Sequence, residues 1–316
     1  MSASPSKNGK MCDTVAVAYA NEGVALDGLT GEPRCTFESP KSSRGALKCI
    51  DRISVSPDGA TIISVSLLHS WIQLFHAGTG ELLKQIPGHG GREAHHLCTC
   101  ATNARGKVTA RDALCPLVGH SAGLRAAVFS PCGSLMASGG EDKVIIVWDI
   151  GGNVKRHLRG HGRAVTCLAF TSMGVRKLLA SGGVDGQVRT WDADEGALIT
   201  FRRFYPVVES LHFSHDGSKL AIGVGCRVHV WSCATWTETF TADLGPGHVL
   251  AVRFSPAAWS PGYVSREMLV ATFQHAEGSA LCARSSIVAL NSRSGARRWV
   301  VHGHNGRDGC KCKPLP

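Results

Sequence analysis

The sequence has little charge and few aromatic residues: charged residues make up 18% and aromatic residues 6% of its 316 positions. No apolar run approaches the roughly 18 residues that a transmembrane helix needs. The apolar part of the first 20 residues is too short for a secretory signal, and no Asn-x-Ser/Thr sequon occurs. We therefore expect an intracellular protein that makes no contact with a membrane.

Motifs of common enzyme classes are also missing. The sequence has no Gly-rich phosphate loop, no His-Glu-x-x-His and almost no helical periodicity on which to place one. Residues 119–123 (GHSAG) do match the Gly-x-Ser-x-Gly pattern that exposes a nucleophile, here Ser121, at a strand-to-helix turn. Because no helical pattern follows this motif, we predict a protein without enzyme activity and without a cofactor.

Thirteen cysteines are scattered singly through the chain, which is typical of reduced, buried thiols rather than of a disulfide framework. Examples are Cys35, Cys49, Cys167 and Cys226. The soft metal ligands lie closest together at His95, His96, Cys98 and Cys100, with a second pair at Cys310 and Cys312. A run of four such close neighbours cannot easily surround one tetrahedral zinc ion, so we expect a loose insertion and no metal site.

Two consecutive segments repeat one pattern. Residues 117–150 (LVGHSAGLRAAVFSPCGSLMASGGEDKVIIVWDI) align with residues 158–193 (LRGHGRAVTCLAFTSMGVRKLLASGGVDGQVRTWDA) from Gly-His to Trp-Asp. Each predicts an alternating strand, a small-residue strand ending in Ala-Ser-Gly-Gly, a tight turn with Asp, and a strand that closes on Trp-Asp. Internal similarity of this kind is the signature of a repeat architecture.

Four polar residue types recur at matching positions of the two segments, with the Asp six residues before the Trp. We predict that each set forms a hydrogen-bonded tetrad that joins loops to strands, with a structural role, because buried polar groups need partners. The tetrads are His120, Ser138, Asp142 and Trp148 in the first segment, and His161, Ser181, Asp185 and Trp191 in the second.

These features resemble the WD40 β-propeller family, and weaker copies fit the same template. Residues 53–86 place His69 and Phe75 where Asp and Trp belong, and residues 211–233 end near Trp231. Residues 15–37 and 285–304 carry Leu26 and Leu290 at the Trp position. The expected fold class is therefore all-β, a WD40 β-propeller with six readable blades of an expected seven.

The spacing of the repeats gives the expected organisation: a disordered N-terminus over 1–12, the propeller over 13–304, and a basic tail over 305–316. Phe75 and Trp148 lie 73 residues apart, against roughly 40–45 per repeat, so we place an insertion at 87–116; the alternative is a degenerate blade there. A second insertion, 256–267, separates the first two strands of the last blade. Since no closing strand is visible, we expect a fragment, a truncated gene product or a divergent chain; the alternative is an imperfect seven-blade ring.

Basic residues are concentrated near the end of the chain. Of the net charge of +10, residues 284–316 contribute +6, from seven basic residues and one acidic residue, Asp308. The seven are Arg284, Arg293, Arg297, Arg298, Arg307, Lys311 and Lys313. Such a patch can follow a phosphate backbone, and it is as typical of a solvated outer strand and tail. Because Trp299 alone could stack there, we expect no base-specific binding.

The order of these features resembles the amino-terminal propeller of the transducin-beta-like WD-repeat proteins, the U3 small nucleolar RNA-associated group of the small-subunit processome. The resemblance lies in VALDGLTGEPRCTF followed by ISVSPDG, in SVSLLHSWIQLFHAGTGELLK, and in the two strong repeats. The chain departs from that group in the 87–116 insertion and in lacking a second propeller and a carboxy-terminal helical region.

The resemblance implies a non-catalytic scaffold in the nucleolus or nucleus that helps to process small-subunit ribosomal RNA. Its partners would be other proteins of a U3-containing ribonucleoprotein; direct contact with RNA stays open, and no small-molecule substrate is expected. The alternative is a WD40 adaptor that recruits peptide motifs in ubiquitin ligation or signalling, with a cytoplasmic location.

Overall fold

The computed structural model describes residues 14–19, 22–28, 30–38, 50–68, 70–86, 119–173, 176–255, 268–275 and 285–302. These residues form strands and turns without a helix, so none of them belongs to a helix that could cross a membrane. The chain divides into two compact units, Met1–Val165 and Thr166–Pro316. The segments 1–12, 87–116, 256–267 and 305–316, to which the sequence assigned termini and insertions, lie outside the described residues.

The described residues of the first unit form three antiparallel sheets in which consecutive strands are neighbours. One has three strands and the others have four, and the third sheet corresponds to the first repeat. The strands are β1 (Thr14–Tyr19), β2 (Glu22–Asp27), β3 (Pro33–Glu38), β4 (Arg52–Val55), β5 (Thr61–Val65), β6 (Ile72–His76), β7 (Leu82–Ile86), β8 (Leu124–Phe129), β9 (Leu135–Gly140), β10 (Ile145–Asp149) and β11 (Val154–Leu158).

The second unit contains three four-stranded antiparallel sheets with the same consecutive order, the first of which is the second repeat. The strands are β12 (Val165–Met173), β13 (Arg176–Gly183), β14 (Gln187–Asp192), β15 (Leu198–Arg203), β16 (Val208–Phe213), β17 (Lys219–Val224), β18 (Arg227–Ser232), β19 (Thr237–Asp243), β20 (Gly247–Phe254), β21 (Met268–His275), β22 (Ser285–Asn291) and β23 (Arg297–His302). The prediction of an all-β fold with six readable blades is confirmed.

Each sheet has a β-bulge at the position that the sequence assigned to Trp. In the third sheet the register of β10 against β11 shifts between Val147 and Trp148. The other five sheets shift directly before the residues that occupy the same position, which are Leu26, Phe75, Trp191, Trp231 and Leu290. The bulge bends the strand and increases its twist. It therefore supports the alignment of the weak copies, in which the Trp is replaced.

Neighbouring sheets within a unit pack through small and branched apolar residues. In the second unit, Ala180 and Val188 of one sheet share a core with Leu211 and Ile222 of the next. Gly182 lies at this contact, because a Cβ there would come within 2.5 Å of Val208 Cγ1. The Ala-Ser-Gly-Gly ending of the second strand is thus explained by the close approach of the following sheet.

Candidate functional site

The tetrad of the first repeat is a continuous hydrogen-bonded set. His120 Nδ1 lies 2.7 Å from Asp142 Oδ2, and His120 Nε2 lies 2.7 Å from Ser138 Oγ. Trp148 Nε1–H donates to the same Ser138 oxygen at 2.8 Å. The side chain of His120 is fully buried and that of Asp142 is 5% exposed. The four residues thus connect the loop before β8, strand β9, the β9–β10 turn and strand β10.

Asp142 is the electrostatic centre of this set. Its carboxylate accepts the backbone N–H groups of Ser121 at 3.0 Å and Val144 at 3.2 Å in addition to His120. Burial by itself would raise the pKa of Asp142, but the hydrogen bond and charge interaction with His120 and the two N–H groups outweigh it. The pKa of this carboxyl is therefore held below its ordinary value, and Asp142 is ionised at neutral pH.

Ser138, His120 and Asp142 have the connectivity of a hydrolase triad, but the serine is not available to a substrate. Ser138 is fully buried and its oxygen already accepts the indole N–H of Trp148. Ser121, at the centre of the Gly-x-Ser-x-Gly match, precedes strand β8 rather than a helix. Neither serine therefore has the setting that acyl transfer requires.

The second repeat places its tetrad residues on corresponding elements. Trp191 Nε1–H on β14 donates to Ser181 Oγ on β13 at 2.9 Å. Asp185 lies in the β13–β14 turn and accepts the backbone N–H of Gln187 at 3.0 Å, and His161 is buried in the loop before β12. The Trp–Ser hydrogen bond is therefore present in both repeats.

Two other sheets retain one half of this Trp–Ser pair. In the second sheet Ser64 occupies the serine position opposite Gln73, while Phe75 replaces the indole. In the fifth sheet Trp231 is retained, but Ile222 stands where the serine belongs. The buried Trp231 Nε1–H consequently has no hydrogen-bond partner among the described residues. The sequence analysis missed Ser64, which the strand register reveals.

The Trp position offers a matched test of the tetrad. Replacing either indole by phenyl removes similar buried volume, but Trp148→Phe also removes a hydrogen bond to Ser138, whereas Trp231→Phe removes a donor that has no partner in the part of the chain that the structure describes. We expect Trp148→Phe to lower the free energy of unfolding by about 1 kcal/mol more than Trp231→Phe does. Chemical denaturation of the two variants measures the difference, and equal losses would contradict the assignment.

The predicted basic patch is only partly within the described residues. Arg293, Arg297 and Arg298 lie on and beside β23 and are exposed, and Arg297 donates to the backbone oxygen of Asp243 at 2.7 Å. Arg284, Arg307, Lys311 and Lys313 lie outside the described residues. The patch as a whole therefore stays a prediction.

The structure shows a second basic surface that the sequence analysis missed. It runs along the outer strand β11 and the loop after it, where the exposed basic side chains are Lys155, Arg156, Arg159 and Arg163. Lys155 forms an ion pair with Asp149, in which Nζ lies 3.7 Å from Oδ2. Burial and the neighbouring Arg159 lower the pKa of His157, so this histidine adds little charge at neutral pH. The basic segment KRHLRGHGR (155–163) is the sequence feature that could have revealed this surface.

The predictions about soft ligands fall mostly on other parts of the chain. The described residues contain no group of three or more His, Cys, Asp or Glu that could hold a metal ion. Positions 49, 69, 95, 96, 98, 100, 310 and 312, at which the sequence suggested His and Cys roles, lie outside them. Cys35, Cys167 and Cys226 are free thiols, as predicted, but they are half-buried rather than buried.

Residues 112–149 and 152–192 both match the WD40 family, described as WD domain, G-beta repeat. This chain contains two WD40 repeats. The matched segments are those that carry the predicted tetrad residues. The predicted resemblance to WD40 proteins is thereby confirmed for the centre of the chain.

Curated relatives match part of this chain at modest identity. Nuclear distribution protein PAC1 of Yarrowia lipolytica is 41% identical over 86 residues, which are 25% of this chain and 20% of that protein. Transducin beta-like protein 3 of Rattus norvegicus is 36% identical over 128 residues, 40% of this chain and 16% of that protein. Pre-mRNA-splicing factor cwf17 of Schizosaccharomyces pombe is 35% identical over 120 residues, 36% of this chain and 35% of that protein. The matches thus span about a third or less of each relative.

A solved structure extends the likeness beyond the two repeats. A chain in the crystal structure of the mitotic checkpoint complex matches with a TM-score of 0.66, covering 96% of this chain and 77% of that chain. Since the identity is 18%, the likeness shows the fold alone. It supports the all-β propeller class for sheets in which the WD40 pattern is weak.

Proposed function

We propose that this protein is a non-catalytic WD40 scaffold in small-subunit ribosomal RNA processing, within a U3-containing ribonucleoprotein of the nucleolus. The observation that carries the proposal is the 36% identity to transducin beta-like protein 3 over 128 residues. By its name, this relative is one of the transducin-beta-like proteins, the group that the sequence resembles in the order of its features. The match to a splicing factor, cwf17, supports a role in RNA processing in the coarser sense.

Two features of the structure support a scaffold role: its polar tetrad groups are buried, and its charged groups on the outer strands are exposed. The polar groups of the first tetrad are buried and mutually satisfied, so they hold the sheet in shape and are not open to a substrate. Among the described residues, the outer strands β11 and β15 pair with a neighbouring strand on one side only, and both carry exposed basic side chains. Rigid sheets with free, charged edges suit simultaneous contact with several acidic partners.

Depletion of the protein in the cells that express it tests the proposal. We expect precursors of the small-subunit ribosomal RNA to accumulate and the mature species to fall, with large-subunit RNA unchanged. Re-expression of the wild-type chain should reverse the defect, and a fluorescent fusion should concentrate in the nucleolus. Northern hybridisation and microscopy measure these outcomes.

The adaptor alternative gives a different result in the same experiment. An adaptor of ubiquitin ligation or signalling would show diffuse cytoplasmic fluorescence, unchanged ribosomal RNA and co-purification with ligase or signalling proteins. That combination would reject the proposed function. Recovery of U3 RNA with the tagged chain would support it.

A further inference from the structure

A cleft of about 270 Å³ opens at one loop end of the second unit. We name it the Tyr205 cleft; its lining is Phe204, Tyr205, Pro206, Val224, Gly225, Cys226, Arg227 and His229. It lies between the β15–β16 loop of one sheet and the β17–β18 turn of the next. Tyr205 is 94% exposed, so its ring packs against almost nothing in the protein. The fold itself gives no reason for an aromatic residue at this position.

The backbone around Tyr205 is held in place on both sides. Phe204 N–H donates to Gly186 O at 2.7 Å. Pro206 packs against the turn at Gly225, where an added Cβ would lie 3.3 Å from Pro206 Cδ. Gly225 O in turn accepts Val249 N–H at 2.7 Å. The exposed ring is therefore presented on a fixed loop, which reduces the ordering cost of binding.

One basic side chain, Arg227, lines the cleft, and a second, Arg203, lies two residues before Tyr205 in the chain. Arg203, at the end of β15, is exposed, and the Arg227 side chain is 59% exposed. Asp243 lies 3.3 Å from Arg227 Nε, but both side chains are more than half exposed, so water screens this ion pair. Further carboxylates border this region: Glu238, whose oxygen lies 2.9 Å from His229 Nδ1, and Asp185, which directly precedes the Gly186 that bonds Phe204. The guanidinium groups therefore remain open to an anionic ligand.

The interior below the cleft leaves no room for an apolar anchor. Phe204 fills it, with its ring centroid 5.0 Å from that of His229 and 5.7 Å from that of Trp231. The cavity between these two sheets measures about 10 Å³, which holds at most one water molecule. A ligand side chain therefore cannot pass through the floor of the cleft into the interior between the sheets. A flat ring and phosphate groups need no such depth.

We propose that the Tyr205 cleft binds single-stranded RNA, with one base stacked on Tyr205 and neighbouring phosphates contacting Arg203 and Arg227. An exposed aromatic ring beside a basic groove is the combination by which proteins bind single strands without reading sequence. The choice of RNA among polyanions rests on the proposed function. The cleft itself is defined by its geometry and can be tested apart from that function.

The test is fluorescence anisotropy of the purified full chain with a labelled 12-nucleotide single-stranded RNA of mixed sequence. Tyr205→Ala should weaken binding roughly tenfold, whereas Tyr205→Phe, which keeps the stacking face, should stay within about twofold. Arg203→Gln and Arg227→Gln should each weaken binding and reduce the slope of log affinity against log salt by about 0.7. Arg176→Gln, an exposed arginine at the opposite end of the same sheet as Arg203, is the charge-matched control.

Thermal melts of all variants establish that they fold, which we expect because the changed side chains are exposed. Wild-type affinity in Tyr205→Ala would overturn the proposal, and so would equal losses in Arg176→Gln and Arg227→Gln. Duplex RNA or polyglutamate competing as well as unlabelled single strand would also overturn it, the latter in favour of an acidic peptide. Normal ribosomal RNA after depletion, with Tyr205-dependent RNA binding intact, would reject the proposed function and leave the cleft assignment standing.

Discussion

Asp142→Ala should lower the free energy of unfolding by about 3 kcal/mol, because it leaves the buried His120 and two backbone N–H groups without their common acceptor. The Asp142 carboxylate accepts hydrogen bonds from the His120 ring and from the backbone N–H groups of Ser121 and Val144. Because the His120 side chain is fully buried, water cannot replace the lost partner without opening the sheet. Urea denaturation followed by intrinsic tryptophan fluorescence measures the loss.

Asp194→Ala is the matched control for this prediction. Asp194 lies in the turn after β14, is 46% exposed, and pairs with Lys177 at 3.0 Å. Exposed ion pairs contribute little, so its removal should cost less than about 1 kcal/mol. Asp142→Asn should fall between the two, since its side-chain oxygen still accepts an N–H but carries no charge. If Asp142→Ala is no more harmful than Asp194→Ala, the tetrad does not stabilise the sheet.

The two strong repeats could be located from the sequence because their signals are local. Asp142 precedes Trp148 by six positions, and this spacing fixes a tight turn followed by the third strand. The copies with Phe75 and Leu290 were harder to find, since only the apolar character of the Trp position remains. The bulge beside that position depends on backbone pairing between strands, so side-chain identity alone could not show it.

Features assembled from distant segments could not be predicted in the same way. The Tyr205 cleft combines the β15–β16 loop with the β17–β18 turn, about 20 residues further along the chain, and their approach depends on packing between sheets. That Trp231 Nε1–H has no hydrogen-bond partner in the described part of the chain also required the strand register, because it results from Ile222 on the neighbouring strand. In both cases the sequence contains the residues, but it does not show which of them are in contact in the folded protein.

His212 is a partly buried histidine that the structure holds in its neutral form. Its Nδ1 accepts the backbone N–H of Phe254 at 3.1 Å, so this nitrogen carries no proton. Burial lowers the pKa of His212 to about 3, and the positive charge of Arg253 on β20 acts in the same direction. Protonation would replace a hydrogen bond by two opposed N–H groups beside a guanidinium. His212 is therefore a specific point of acid sensitivity in the second unit.

The direction of the pH dependence follows from the difference between the pKa of His212 in the unfolded chain and its pKa in the folded chain. The unfolded chain binds a proton at His212 near pH 6.5, whereas the folded chain does not until about pH 3, so stability falls as the pH is lowered through this window. His212→Asn keeps an acceptor for Phe254 N–H and cannot titrate. Between pH 7.5 and 5 the wild type should lose about 1–2 kcal/mol more than this variant in urea titrations. Parallel losses in the two proteins would show that His212 is free to protonate in the folded state.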